Sequence, residues 1–425
     1  MPRNDELERS KIIMSKGTFK WFNGDKGFGL LGSSVLLNKE KAFITSSMLI
    51  KHTFLVLILL LTVVPYLQAE PYSSERVFTL SPGADFEKNL DLAVKAINAG
   101  KADVLCFTPG EFYLSKGLKF QKSKGQGGLR ITGGGPGITK LIFSCKEAAI
   151  VVKIDTDIRN SSESPSLRLE ELSLIATGEC GAALDIMRGD TKTSGGTATK
   201  IFSNLNIDGQ KGGSWASGIQ VTDLTFTTFQ NITMRLPRPG ATGIHITGNT
   251  APVDHHLSSI RILSADTGIK IGGSVEGVYI DQGTIIGVDT GIDWDTTSHE
   301  PLLAFSGSHI SARYTCIKAR NLLQPVITGN LLYQAGTDKE WKGIDITTER
   351  ATNYDLLQIS NNIFHGNPKH TVPNTGISIN AGSAGVINAN VFSALDVGIK
   401  LGEKAKDLEP SNNVFKGVPK TLFRE

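Results

Sequence analysis

The clearest pattern in this chain is a four-residue phrase, Gly-Ile-x-(Ile or Val), in which apolar and other positions alternate. It occurs at 218–221, 243–246 and 268–271, and again at 343–346 and 376–379. Close variants stand at 291–294, with Trp294, at 316–319, with Cys316, and at 398–401, with Leu401. First residues are spaced 22 to 33 apart. A second phrase, Asn before an apolar pair, runs between them at Asn204, Asn231, Asn330, Asn362, Asn390 and Asn413. Alternation over four residues predicts a strand with one buried face. Two short strands per repeat of this length predict a solenoid, each repeat forming one rung. A β-propeller is the next alternative, but its blades need about 40 residues and four strands each.

Ahead of the repeats, Phe86, Leu90, Ala93, Val94 and Ile97 recur at helical spacing, so 85–100 predicts one amphipathic helix stopped by Gly100. Short apolar runs at 104–107, 112–114, 129–132 and 141–143 come next, separated by Gly and Pro turns. This order resembles the opening of the pectate-lyase-like right-handed β-helix family, through Pro109, Gly110, Phe112 and Tyr113, then Ile131, Gly133, Gly135 and Gly137. The resemblance implies an all-β, right-handed single-stranded parallel β-helix with an N-terminal capping helix, of about a dozen rungs. It also implies work on an extracellular or envelope polysaccharide, by lyase or glycoside hydrolase chemistry. A non-catalytic glycan-binding surface protein and a phage tailspike-type depolymerase are the alternatives.

Within each strand the two apolar residues point inward and x points to solvent. Down the stack, x is Gln220, His245, Lys270, Asp293, Lys318, Asp345, Ser378 and Lys400. Two residues on, the same face carries Thr222, Thr247, Gly272, Asp295, Arg320, Thr347, Asn380 and Gly402. Asp293, Asp295, Lys318, Arg320 and Asp345 are therefore the candidate catalytic residues. Two carboxylates can hydrolyse a glycosidic bond as acid and base when about 6.5–9.5 Å apart. A Lys, Arg or His can instead take the proton beside a uronate carboxylate that cations neutralise. His245 and Lys270 are candidate substrate contacts. Trp215 and Trp341, each just before such a strand, are candidate sugar platforms. The alternating signs equally describe a cross-strand ion-pair ladder. The Asn residues are expected in tight turns, bonding along the stack.

Asp254-His255-His256 is metal-like in wording only, and no metal site is expected. No cofactor is expected, with calcium entering only for a lyase. Cys106, Cys145 and Cys180 lie about one rung apart, which allows one oxidised pair or buried thiols.

The N-terminal part reads differently. Residues 54–64 are an apolar run after Lys51 and His52, followed by Pro65 and Leu67-Gln68-Ala69. This has the form of a signal peptide with cleavage after Ala69, and the run is short of the roughly 20 residues of a membrane span. Met48 is the expected initiator. Upstream, 17–29 reads GTFKWFNGDKGFG and resembles the first strands of a cold-shock domain, over too short a stretch for its barrel. The expected organisation is 1–47 as a spurious or unstructured leader, 48–69 as signal peptide and 70–425 as the β-helix. The mature protein is expected to be secreted, periplasmic or on the cell surface, without stable membrane insertion.

Charge fits this division. The whole chain has 44 basic and 41 acidic residues. Residues 1–69 hold 9 and 5 of them, leaving 35 and 36 beyond. The apparent basicity belongs to the leader, so nucleic acid is not an expected partner.

Overall fold

The computed structural model describes residues 22–23, 28–29 and 76–425, except 124, 145, 156–164, 190–197, 211, 299–300, 349–355, 381–383 and 406–407. The chain divides into two units, Met1–Ser74 and Glu75–Glu425. In the first, Phe22–Asn23 pairs antiparallel with Phe28–Gly29 inside the cold-shock-like stretch. The apolar run, Met48 and the cleavage point lie outside the described residues. No helix among the described residues is long and apolar enough to cross a membrane.

The second unit opens with strand Val77–Leu80 and the helix Phe86–Asn98, which turns Phe86, Leu90, Ala93 and Ile97 inward. The helix packs against Val77–Leu80 and Leu118–Lys122, so it caps one end of a long coil. From there the chain winds through parallel strands, each pairing with its counterpart one repeat away. The coil is a right-handed parallel β-helix. Each rung passes through three sheets, not the two that the phrases predict. One column holds the Gly-Ile-x-Ile strands, here the first face, from Leu118–Lys122 to Lys420–Arg424. The second face runs from Val77–Leu80 to Ala384–Asn388. The third runs from Gly110–Leu114 to Val414–Lys416 and contains the apolar pairs after each Asn.

The second face escapes pattern reading because its inward positions are not uniformly apolar. Lys200, Thr227 and His255 are aligned on consecutive rungs and fully buried. Lys200 donates to the Thr225 carbonyl at 3.1 Å, and burial lowers its pKa to about 8. His255 Nδ1 lies 2.6 Å from Thr227 Oγ1, and burial takes its pKa down to about 3. Burying a polar group costs less when it is bonded, so the Thr225 carbonyl offsets part of the cost for the lysine and the Thr227 hydroxyl part of it for the histidine, whose Nε2 is buried without a partner.

Elsewhere the interior is a set of apolar stacks. Phe364, Phe392 and Phe415 stack on adjoining rungs, with centroids 4.8 and 5.0 Å apart. Such stacks, of Met234 and Ile262 in the earlier rungs and of these rings in the later ones, explain the Gly of the first-face phrase, together with the carbonyl of the next rung. A Cβ on Gly343 would stand 2.5 Å from the Phe364 ring, so the phrase keeps the position bare for the neighbouring rung. Trp294 lies beside Ala319, a large residue beside a small one.

The corner from second to third face is a column of left-handed residues. Glu171, Asn204 and Asn231 turn it in one residue, with φ of 60°, 52° and 52°. From Ser259 onward a further residue comes after the left-handed one, and in the later rungs this is Asn330, Asn362, Asn390 and Asn413. Each of these side chains accepts from the backbone N–H of its counterpart on the previous rung and donates to a carbonyl there. Asn362 Oδ1 takes Asn330 N at 3.0 Å, and Asn362 Nδ2 donates to Ile327 O at 2.9 Å. The Asn phrase therefore covers two positions: left-handed corners at 204 and 231, and a buried ladder from 330.

Candidate functional site

The first face carries the expected lane in the expected register. Gln220, His245, Lys270 and Asp293 are aligned on successive rungs. Lys318, Asp345, Ser378 and Lys400 continue the line. Asp295 and Arg320 are aligned beside it. A hydroxyl lane runs parallel through Ser217, Thr242, Thr267, Thr290 and Thr315, with Lys342 at its next place.

The acids and bases of the middle rungs are paired. Asp289, Asp293 and Asp295 on one strand face Arg313, Lys318 and Arg320 on the next. The separations are 2.5 Å for Arg313 Nε to Asp289 Oδ1, 3.8 Å for Lys318–Asp293 and 3.4 Å for Arg320–Asp295. Lys342 donates to Asp345 at 2.9 Å. Arg320–Asp295 is exposed on both sides, Asp289 and Asp293 are half-buried beneath exposed cations, and Lys342–Asp345 is half-buried on both sides; solvent-exposed pairs contribute about 0–1 kcal/mol each. Asp289, Arg313 and Lys342 belong to this array but escape the lane reading. They lie on the rim and in the hydroxyl lane, where the phrase marks no charge.

The other end of the lane has a different character. The strand Glu179–Arg188 holds Ala-Leu-Asp-Ile, a variant of the phrase, and places Asp185 in line with Gln220. Asp185 Oδ1 is buried without a hydrogen-bond partner, and burial raises the carboxyl above its ordinary range despite nearby Lys153. Two rungs on, burial and then the charge of Lys270 hold His245 below the usual imidazole range. Asp185 was accessible to sequence reading only through that degenerate phrase, in which Ala replaces Gly and Leu replaces Ile.

The tryptophans are corrected. Trp215 and Trp341 are both 0% exposed. Trp215 donates to the Asp208 carbonyl at 3.0 Å and packs on Phe143. Neither offers a face to a sugar, because both fill the interior beneath the first face. His256 stacks on Tyr279 at 4.7 Å on the second face, facing away from buried His255. No group of three or more candidate metal ligands occurs among the described residues. Cys106 and Cys316 carry free thiols, and burial pushes the Cys316 thiol far up. Cys145 lies outside the described residues.

Residues 217–415 match the family described as "Right handed beta helix region". Among solved structures, the N-terminal fragment of bacteriophage phi29 gene product 12 is similar with a TM-score of 0.51 and 15% identity. That likeness covers 79% of this chain and 64% of that one, and it shows the fold alone. The catalytic domain of a GH87 alpha-1,3-glucanase gives a TM-score of 0.48 at 11% identity, over 84% of this chain and 69% of that one. The A-module of Azotobacter vinelandii mannuronan C-5 epimerase AlgE6 gives 0.46 at 13%, over 80% and 96%. No curated protein matches the sequence.

Proposed function

We propose that this protein acts on an extracellular or envelope polysaccharide laid along the first face, and that it cleaves an acidic chain by elimination. The observation that carries the reading is the pairing of a raised carboxyl with a lowered imidazole on one lane, Asp185 and His245. Groups whose environments push their pKa values apart are suited to opposite roles in proton transfer. They stand two rungs apart, about 9.6 Å at the backbone. His245, neutral near pH 7, takes the proton beside a uronate carboxylate. Lys270, on the next rung, neutralises that carboxylate, and the carboxyl of Asp185 protonates the leaving oxygen. Export rests on the apolar segment 54–64. Calcium would be a co-neutraliser of the substrate; the carboxylates of the middle rungs already have basic partners.

The hydrolytic form of the reading uses Asp293 and Asp345, again two rungs apart. The ion pairs of the middle rungs favour a second reading, in which the face binds glycan without cleaving it: a ladder satisfied by its own partners needs no substrate. Purified protein should be offered acidic and neutral polysaccharides. The proposal expects new ultraviolet absorbance from an unsaturated product. It also expects a loss of about 10²–10⁴-fold in His245→Gln and Asp185→Asn. Reducing ends without that absorbance, lost in Asp293→Asn and Asp345→Asn, mean a hydrolase. Retention of polysaccharide without either product means a binder.

A further inference from the structure

The corner between the second and third faces holds a hollow of about 410 Å³ that the first-face reading does not use. It arises where two consecutive rungs carry small residues across the corner. The left-handed column there runs Gln282, Gly307, Gly329, Asn361, with φ of 55°, 57°, 68° and 57°. The backbone conformation is the same at all four, but the two glycines leave the space outside it empty. No heavy atom comes within 4 Å of where a Gly307 side chain would begin.

Beside this hollow, the second face of the same two rungs also carries small outward residues. There Tyr279, Ala304, Val326 and Gln358 are aligned in order. Tyr279 stacks on His256 with 7° between the rings, so one ring face is covered and the other looks along the axis towards Ala304. Ala304 ends at its Cβ, which leaves a place above it one rung spacing, about 4.8 Å, from the tyrosine ring. A sugar ring in that place would be the third member of the His256–Tyr279 stack. Gln282 lies on the tyrosine side, its Oε1 accepting from Ser259 Oγ at 3.4 Å, and Gln358 and Asn361 on the far side, with Gln358 Nε2 donating to Ser360 Oγ at 3.4 Å; the remaining valences of these amides are what a sugar hydroxyl would meet. Between them Ser306 and Thr328 are aligned, and Thr328 Oγ1 accepts from Ser360 Oγ at 3.3 Å. Asp281, the acid beside this wall, already accepts from Ser258 Oγ at 3.0 Å. No Lys or Arg lines the hollow, and burial holds His309, at its third-face end, below the usual imidazole range.

We propose that these two rungs form a second binding groove, running across the coil, that takes a neutral linear oligosaccharide with one ring stacked on Tyr279. The aromatic face provides stacking on the apolar face of a pyranose, and the amides and hydroxyls match its hydroxyl groups. Uncharged walls give no reason to prefer a uronate, which separates this groove from the charged first face.

The test uses the full chain in calorimetric titrations with cellotetraose, laminaritetraose and mannotetraose, and tetragalacturonate for comparison. At least one neutral tetraose should bind. Tyr279→Ala should weaken it by about tenfold or more. The double variant Gly307→Asn, Gly329→Asn should do the same by filling the groove. Asn already adopts this left-handed corner at 361 and 412, so the variant keeps the backbone. Asp293→Asn and His245→Gln should leave this binding unchanged. The proposal is overturned if no neutral tetraose binds at millimolar concentration, if the filled groove binds as well as the open one, or if only the first-face variants lose binding.

Discussion

Burial gives two residues on the first face opposite tendencies. Asp185 is raised and His245 lowered, each chiefly by loss of water. Catalysis by this pair makes activity bell-shaped in pH, because it needs one proton on the pair and fails when both or neither is protonated. The maximum should fall between the raised carboxyl and the lowered imidazole, on the acid side of neutrality. Rate measurements across pH on the polysaccharide that is cleaved check this, and a maximum on the alkaline side excludes the pair. Lys200 shows the same physics without a place on the surface. It is enclosed in the coil, and its pKa of about 8 is the mark of a cation kept from water. Because that value lies below the unfolded one, its burial penalty is present at neutral pH and fades as pH rises through 8 towards the lysine range.

Among elements, the Asn ladder is the part whose role is read most directly from its hydrogen bonds. Asn362 accepts from the backbone N–H and side chain of Asn330, and donates to Ile327 O and Asn390 Oδ1. Asn362→Ala strands the Asn330 N–H in the interior. The expected loss is about 1–3 kcal/mol for each buried group left without a partner, read by denaturant unfolding. Asn231→Ala, at an exposed left-handed corner, strands no buried group and should cost less. Both ladder and first face were legible in the sequence because their chemistry repeats. Gly keeps its place where a core side chain and the next rung's carbonyl come close, and Asn where a buried N–H needs an acceptor. The register of Asp293, Lys318 and Asp345 came from alternation alone. The second face was not legible, since Lys200, Thr227 and His255 break the apolar pattern with buried polar groups whose partners, the Thr225 carbonyl and the Thr227 hydroxyl, lie a rung away along the chain. Trp215 and Trp341 misled for a related reason. Their place before a strand suggested a rim, yet their strands begin earlier than the phrase, and the ring turns into the coil. Tyr279 lay unnoticed because its use depends on the smallness of Ala304, one rung away.

At the scale of the whole molecule, each rung past the capping helix rests on its neighbours, so stability is close to a sum over adjoining pairs. The ladder makes those pairs interchangeable. Asn362 treats Asn330 as Asn390 treats Asn362, and the Phe392 ring stacks on Phe364 as Phe415 stacks on Phe392. The coil is therefore divisible. Removing 362–389, which is the 28-residue step from Asn362 to Asn390, should bring Asn390 Oδ1 to the Asn330 N–H and the Phe392 ring over Gly343. Asp345 would then face Lys400. The shortened chain should fold with native-like circular dichroism and a cooperative thermal transition. Removal of 362–390 instead should lower that transition, because it takes away Asn390 as well and leaves the buried Asn330 N–H without an acceptor. In such a molecule length is a quantity that whole turns can change, and the ladder keeps the count.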